Sequence, residues 1–208
     1  METIPKPAAT VLLINPQGQV YMTKRPATMK FLAGHYVFPG GAVDEKDSLL
    51  SNRLIAPTDQ ANIPLAYYVA AAREVYEEIG VFLGCDRTGE PLSFQREESL
   101  NDRKRLLKKE ISFIELLKEK EAALDCRCFT YIGHKTTPAK SPIRFDTRFF
   151  ITRLPKRQQP IPDPYEVAEA RWIYPKDALH AYEKGEIKLI HPTIRSLEKA
   201  ICWLDATS

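Results

Sequence analysis

Three glutamates stand together in the run Arg73-Glu74-Val75-Tyr76-Glu77-Glu78-Ile79-Gly80-Val81. On a helix, residues at i, i+3 and i+4 share one side. Carboxylates so placed repel by roughly 0.2–0.5 kcal/mol per pair and, in a last turn, meet the unfavourable end of the helix dipole. A merely solvated acidic face would need lysine or arginine three or four residues away. The helix is read as offering none there, with Arg73 on the flank. A divalent cation is then the simplest partner, and oxygen-only ligands select hard ions, Mg²⁺ or Mn²⁺, over zinc.

The element that must carry these groups runs from Leu65 to Ile79. Alanines at 66, 70, 71 and 72 favour a helix, and Gly80 sits where a C-terminal glycine cap belongs. Tyr68, Val69, Ala72, Val75, Tyr76 and Ile79 form one apolar arc, the expected core face. Ala70 and Ala71 lie on the carboxylate side and are expected to leave open space beside it.

Around that helix the pattern alternates between strands and helices. Val11–Ile14 and Val20–Arg25 read as a hairpin about Asn15-Pro16-Gln17-Gly18-Gln19. His35–Phe38 is a short strand stopped by Pro39-Gly40-Gly41, and a polar loop follows from about Asp44 to Pro64. Val81–Leu83 starts another strand. Residues 97–124 suggest two helices, the second opened by a capping box at Ser112 and Glu115. Phe129–Ile132, Thr147–Leu154 and Ala170–Tyr174 read as strands, with a proline-rich loop at 155–164. Pro175 opens a helix ending near Gly185. Pro192 opens a last one with Ile194, Leu197, Ile201 and Leu204 as its apolar face. The class is α/β.

Composition sets the outer limits. At 208 residues, 44% hydrophobic and 27% charged, the chain can build a sizeable core and is neither disordered nor fibrous. No apolar run approaches the ~20 residues of a membrane span. A net charge of +3 lacks the basic excess of a nucleic-acid binder and suits a small anionic substrate. Cys85, Cys126, Cys128 and Cys202 have no zinc spacing and read as reduced thiols of a cytoplasmic protein. Ala8–Ile14 reads as a strand rather than a secretion signal. The histidines 35, 134, 180 and 191 show no ligand spacing.

The run 73–81 resembles the second half of the Nudix box, R-E-U-x-E-E-x-G-U with U aliphatic. Every fixed letter matches, and both aliphatic positions are valine. Gly41-Ala-Val-Asp-Glu-Lys-Asp47 is similar to the first half, G-x5-E, with Asp47 where the family has Glu. Arg73 follows Gly41 by 32 residues, 18 more than in the usual box. The family's box Glu pairs with its Arg, and whether Asp47 does so with Arg73 stays open. An interrupted box resembles the acyl-CoA diphosphatase subgroup. So does the upstream pattern Thr23, Arg25, Gly34 and Phe38-Pro39-Gly40-Gly41, in which Lys30 stands for an Arg and Pro26 departs. Thr137–Phe150, Glu169-Ala-Arg-Trp172 and His191-Pro-Thr193 share the likeness.

The resemblance implies a single Nudix domain over 1–208, an α/β/α sandwich with a mixed β-sheet and extra helices. Loop and helical insertions fall at about 48–64 and 97–124. It implies Mg²⁺ or Mn²⁺ held by Glu74, Glu77 and Glu78, with the Gly41 carbonyl as a further ligand and Arg73 beside them. The base is a helix carboxylate, Glu166 or Glu169. Arg25, Lys30, Arg144 and Arg148 are the cations offered to the substrate's phosphates. The implied reaction is hydrolysis of coenzyme A or acyl-CoA to 3′,5′-ADP and (acyl-)phosphopantetheine. The alternatives are a Nudix pyrophosphatase for ADP-ribose, nucleotide sugars or related compounds, and a non-catalytic nucleotide-binding domain. The expected partner is the small-molecule diphosphate, with no nucleic acid and no membrane, and a homodimer is left open.

Overall fold

The structure is a computed structural model and describes residues 3–49, 51–57 and 62–207. In chain order it forms β1 (Lys6–Ile14), β2 (Val20–Lys24), β3 (Tyr36–Val37), β4 (Gly40–Ala42) and β5 (Leu54–Ile55), then α1 (Leu65–Ile79). There follow β6 (Gly84–Cys85), α2 (Arg96–Leu107), α3 (Phe113–Glu119), β7 (Ala123–Asp125), β8 (Thr130–Thr136), β9 (Phe145–Arg153) and β10 (Glu169–Ile173). Helices α4 (Pro175–Glu183) and α5 (His191–Thr207) complete the chain.

The main sheet is mixed, ordered β10-β2-β1-β9-β8, with β3 on β2 and β4 on β1. Its centre is a parallel pair, β1 with β9, in register from Lys6↔Phe145 to Ile14↔Arg153. Side chains alternate across a strand, and β1 shows it: Ala9, Val11 and Leu13 enter one core, Leu12 and Ile14 the other. The first core is closed by α1, α2, α3 and the small sheet β5-β7-β6, the second by α4 and α5. Two helical layers thus flank a mixed sheet, the expected α/β sandwich.

Helix α1 has the expected bounds. Gly80 takes φ 69° and donates its N–H to the Tyr76 carbonyl, a left-handed cap that glycine adopts without strain. The capping box opening α3 is also formed: Ser112 N–H donates to Glu115 Oε2 at 2.6 Å, and Glu115 N–H to Ser112 Oγ at 3.2 Å.

Several expectations are corrected. Val81–Leu83 is not a strand, because the Gln158 amide takes both the Phe82 N–H (2.8 Å) and the Phe82 carbonyl (2.8 Å) in place of a strand partner. Pro39-Gly40-Gly41, read as a stop, instead leads into β4, whose Gly40–Ala42 pairs with Ala8–Thr10 of β1. The loop from Asp44 contains a 3₁₀ turn at Glu45–Ser48 and strand β5, while residues 50 and 58–61 of the expected insertion lie outside the described residues. The last helix starts at His191, and its buried side is Thr193, Ser196, Leu197 and Ala200. Leu197 is fully buried and Ile194 and Leu204 pack against the second core as expected, Thr193, Ser196 and Ala200 join them, and Ile201 is left half-buried. All four cysteines are free thiols. Among the described residues no helix is long and apolar enough to cross a membrane.

Candidate active site

Helix α1 packs against β1 and β4 and is buried on nearly every side. The expected open space beside the carboxylates is absent. Ala70 and Ala71 are fully buried, and Glu77 and Glu78 are only 8% and 7% exposed. The alanines serve close approach to the sheet instead, leaving the acidic groups in a tight, poorly solvated seam.

The reading of Arg73 as a flanking cation is also corrected. It lies four residues before Glu77 and pairs with it, Nη1 to Oε2 at 2.8 Å, while the same nitrogen reaches Glu74 Oε1 at 2.8 Å. Its Nη2 donates to the Ala42 carbonyl at 2.7 Å and to Asp47 Oδ2 at 3.0 Å, and its Nε to Asp47 Oδ1 at 3.1 Å. Asp47 therefore makes the arginine contact the resemblance left open. Asp47 is in turn held by the 3₁₀ turn, its Oδ2 accepting from the Asp44 N–H at 2.8 Å. Lys109, between α2 and α3, reaches Asp44 at 2.7 Å. One guanidinium thus joins both halves of the box across the long insertion.

The glycines of β4 face the carboxylates. A Cβ on Gly41 would lie 2.6 Å from the Glu74 carboxyl carbon and from both its oxygens. The Gly40 backbone lies close enough to favour the charged form of Glu78. Burial drives the Glu78 carboxyl well above its usual range, and Glu74 and Glu166 add to this by repulsion. Burial also raises Glu74, against the pull of Arg73. Burial likewise lifts Glu77 to about 7, with Arg73 opposing and Glu74 reinforcing.

The two candidate bases part company. Glu166 lies within electrostatic reach of Glu74 and Glu78, and burial raises its carboxyl. Glu169 is exposed at the start of β10, paired with Arg171 at 2.9 Å and Lys24 at 3.7 Å. Of the expected cations, Arg25 favours the charged forms of Glu78 and Glu166, and its Nε donates to the Phe31 carbonyl at 3.0 Å. Arg148 shares a row of the sheet with Ala9 and Gly41, two strand spacings (about 10 Å) from the latter. It packs over the Tyr67 ring of α1 at 5.1 Å and pairs with Asp146 at 2.9 Å. Lys30 is exposed between β2 and β3. Arg144 donates to the carbonyls of Thr137 (3.0 Å) and Thr3 (2.6 Å), tying down the chain beside the β8–β9 turn.

One residue of this neighbourhood escaped the sequence. Arg103 of α2 is 3% exposed and donates to the carbonyls of Glu77, Glu78 and Ile161. Nothing in its spacing marks it, because its partners are backbone atoms on remote segments.

The donor set suits a hard divalent cation. Asp47, Glu74, Glu77, Glu78 and Glu166 outnumber the guanidinium groups of Arg25, Arg73 and Arg103 that act on them. Burial raises these carboxyls first and their mutual repulsion adds to it, and a cation would relieve both. Among the described residues no three His, Cys, Asp or Glu side chains already converge as a finished ion cage. Glu74 and Glu77 each give one carboxylate oxygen to Arg73, whereas Glu78 makes no ion pair among the described residues and is the group nearest to readiness.

The profile of a family described as the NUDT19 Nudix domain matches residues 55–200, which include α1 and the elements after it as far as the first part of α5. The chain belongs to the Nudix family. Its curated relatives include nudix hydrolase 7 of Caenorhabditis elegans, 27% identical over 194 residues, which is 92% of this chain and 59% of that protein. The chain therefore spans little more than half of that relative's length. A crystal structure of a NUDIX hydrolase from Alicyclobacillus acidocaldarius is similar at a TM-score of 0.83 and 29% identity, covering 96% of this chain and 92% of that one. The NUDIX domain of Shewanella oneidensis NrtR, complexed with ADP ribose, shares the fold at a TM-score of 0.53 and 12% identity, covering 97% and 90%.

Proposed function

We propose that this Nudix chain is a Mg²⁺- or Mn²⁺-dependent diphosphatase acting on a nucleoside diphosphate linked to another group, with coenzyme A or its acyl esters as the substrate. The observation that carries the reading is the placement of Glu74 and Glu78. Both are carboxylates of one helix end, set against the backbone of Gly40 and Gly41 in a seam with too few cations to balance them.

The ion, when bound, would neutralise the phosphate oxygens at which charge develops. The chain supplies the rest. Glu74, Glu77, Glu78 and the Gly41 carbonyl are the ligands. Arg73 anchors two of these glutamates. Glu166, raised by burial and in no ion pair among the described residues, takes the proton of the attacking water. A bond forms from that water to one phosphorus and the bridging P–O bond breaks. Coenzyme A would give 3′,5′-ADP and phosphopantetheine. The motif shared with coenzyme A diphosphatases supports this substrate, and its Arg25 acts on Glu78 and Glu166. Arg25 and Arg148 are the phosphate-facing cations of this proposal, with Lys30 free to reach from its exposed loop.

The test is product release from coenzyme A, acetyl-CoA, ADP-ribose and a nucleotide sugar, with and without Mg²⁺. Mg²⁺-dependent formation of 3′,5′-ADP is expected. Turnover of ADP-ribose with none of coenzyme A would replace the substrate, and no turnover of any compound would favour a binding domain.

A further inference from the structure

We infer that Arg103 is a positioning residue for the carboxylate site, setting the last turn of α1 and the loop that delivers Glu166. The inference rests on the proposed metal-dependent reaction and assigns a part of it to the helical segment outside the box.

The last four carbonyls of a helix have no partner within it. In α1 each is taken. Tyr76 O accepts from Gly80 N–H at 2.9 Å, and Ile79 O from Ile161 N–H at 2.7 Å. Glu78 O accepts from Asp163 N–H at 2.7 Å and from Arg103 Nη2 at 3.2 Å. Glu77 O accepts from Arg103 twice, Nε at 3.0 Å and Nη2 at 2.8 Å. Arg103 Nη1 turns the other way, to Ile161 O at 2.8 Å. One fork therefore grips Glu77 and Glu78, two of the three glutamates proposed as ligands, together with the loop leading to Glu166.

A cation at 3% exposure is costly to bury. Its compensation here is a helix C-terminus and the nearby carboxylates Asp163, Glu166 and Glu77. That arrangement offsets the repulsion within the last turn through the backbone, so Arg103 itself occupies no carboxylate oxygen of Glu77 or Glu78. The frame behind it is firm. Buried Asp102 meets Lys120 at 2.7 Å, and Arg105 meets Glu119 at 2.7 Å, locking α2 to the end of α3. Lysine has one nitrogen where this geometry uses three, so it cannot hold both segments together.

The experiment compares the wild type with Arg103→Lys and Arg103→Gln. It measures folding by circular dichroism, Mn²⁺ binding by electron paramagnetic resonance, and kcat and KM for the best substrate. The expected result is folded variants with Mn²⁺ affinity weakened about 10–100-fold, a matching fall in kcat, and little change in KM. The lysine variant should be the milder of the two. A simple helix cap would lower thermal stability and leave Mn²⁺ affinity of the folded protein unchanged, and that result overturns the inference. Failure of both variants to fold also overturns it, since Arg103 is then a folding residue. If the wild type itself binds no Mn²⁺, the metal-dependent reading falls first, and the two failures are told apart.

Discussion

Substituting Gly41 by alanine separates the site from the fold. The added Cβ would stand 2.6 Å from three atoms of the Glu74 carboxylate, where an ordinary contact is about 3.5 Å. The carboxylate must therefore retreat by close to 1 Å. Gly41 is not among the residues with positive φ, so alanine meets no backbone strain. The atoms in the way are the end of a side chain held by Arg73 rather than backbone, so the fold should lose about 1–3 kcal/mol. In a domain of this size each kcal/mol is a melting shift of roughly 2–4 °C. Displacement of a reacting or ligating group by 1 Å costs on the order of 100-fold in rate. Gly41→Ala should thus keep its structure while kcat at saturating Mg²⁺ falls by about two orders of magnitude. Gly40→Ala is the contrasting control. Its Cβ would lie 2.3 Å from the Ala9 carbonyl oxygen at φ 157°, against the backbone of β1, and it should destabilise the whole protein. Full turnover in Gly41→Ala would refute the placement of Glu74 in the machinery. So would unfolding of Gly41→Ala beside a tolerated Gly40→Ala.

Arg73→Ala leaves Asp47, 3% exposed, without its cation. It should cost about 3–5 kcal/mol in urea denaturation, and a loss under about 1 kcal/mol would contradict the clamp. Glu166→Gln should lower kcat at least about 100-fold, whereas Glu169→Gln, on an exposed pair, should stay near wild type; the reverse order would exchange their roles. The pH dependence follows from Glu77, whose carboxyl burial lifts to about 7. The folded protein then holds a proton that the unfolded chain releases near about 4.3, so stability falls as pH rises between the two values. Without divalent ions the melting temperature should drop from pH 5 to pH 8 and recover on adding Mn²⁺. A drop that Mn²⁺ does not reverse would argue against these carboxylates as ligands.

What the sequence made legible follows from locality. The α1 boundaries, the Gly80 cap and the Ser112 box are decided by neighbouring residues and could be read directly. The burial of Glu77 and Glu78 could not, because it depends on where β4 and the α2–α3 segment pack against α1. Arg73 pairs with Glu77 at a helical spacing that was open to reading, yet its link to Asp47 spans an insertion and needed the fold. Glu166 and Glu169 are three residues apart and equally acidic. Only the path of the chain into β10 sends one toward Glu78 and the other to Lys24 and Arg171. Arg103 was hidden most completely, since a backbone carbonyl has no letter in the sequence.

The central claim is that the end of α1 binds a divalent ion. Its most direct test is a titration of the purified protein with Mn²⁺, following the free-ion resonance, for the wild type and for Glu78→Gln. The account predicts saturable binding in the wild type that Glu78→Gln weakens sharply while remaining folded. Wild-type protein that leaves all added Mn²⁺ free, or a variant that binds it equally well, would contradict the account.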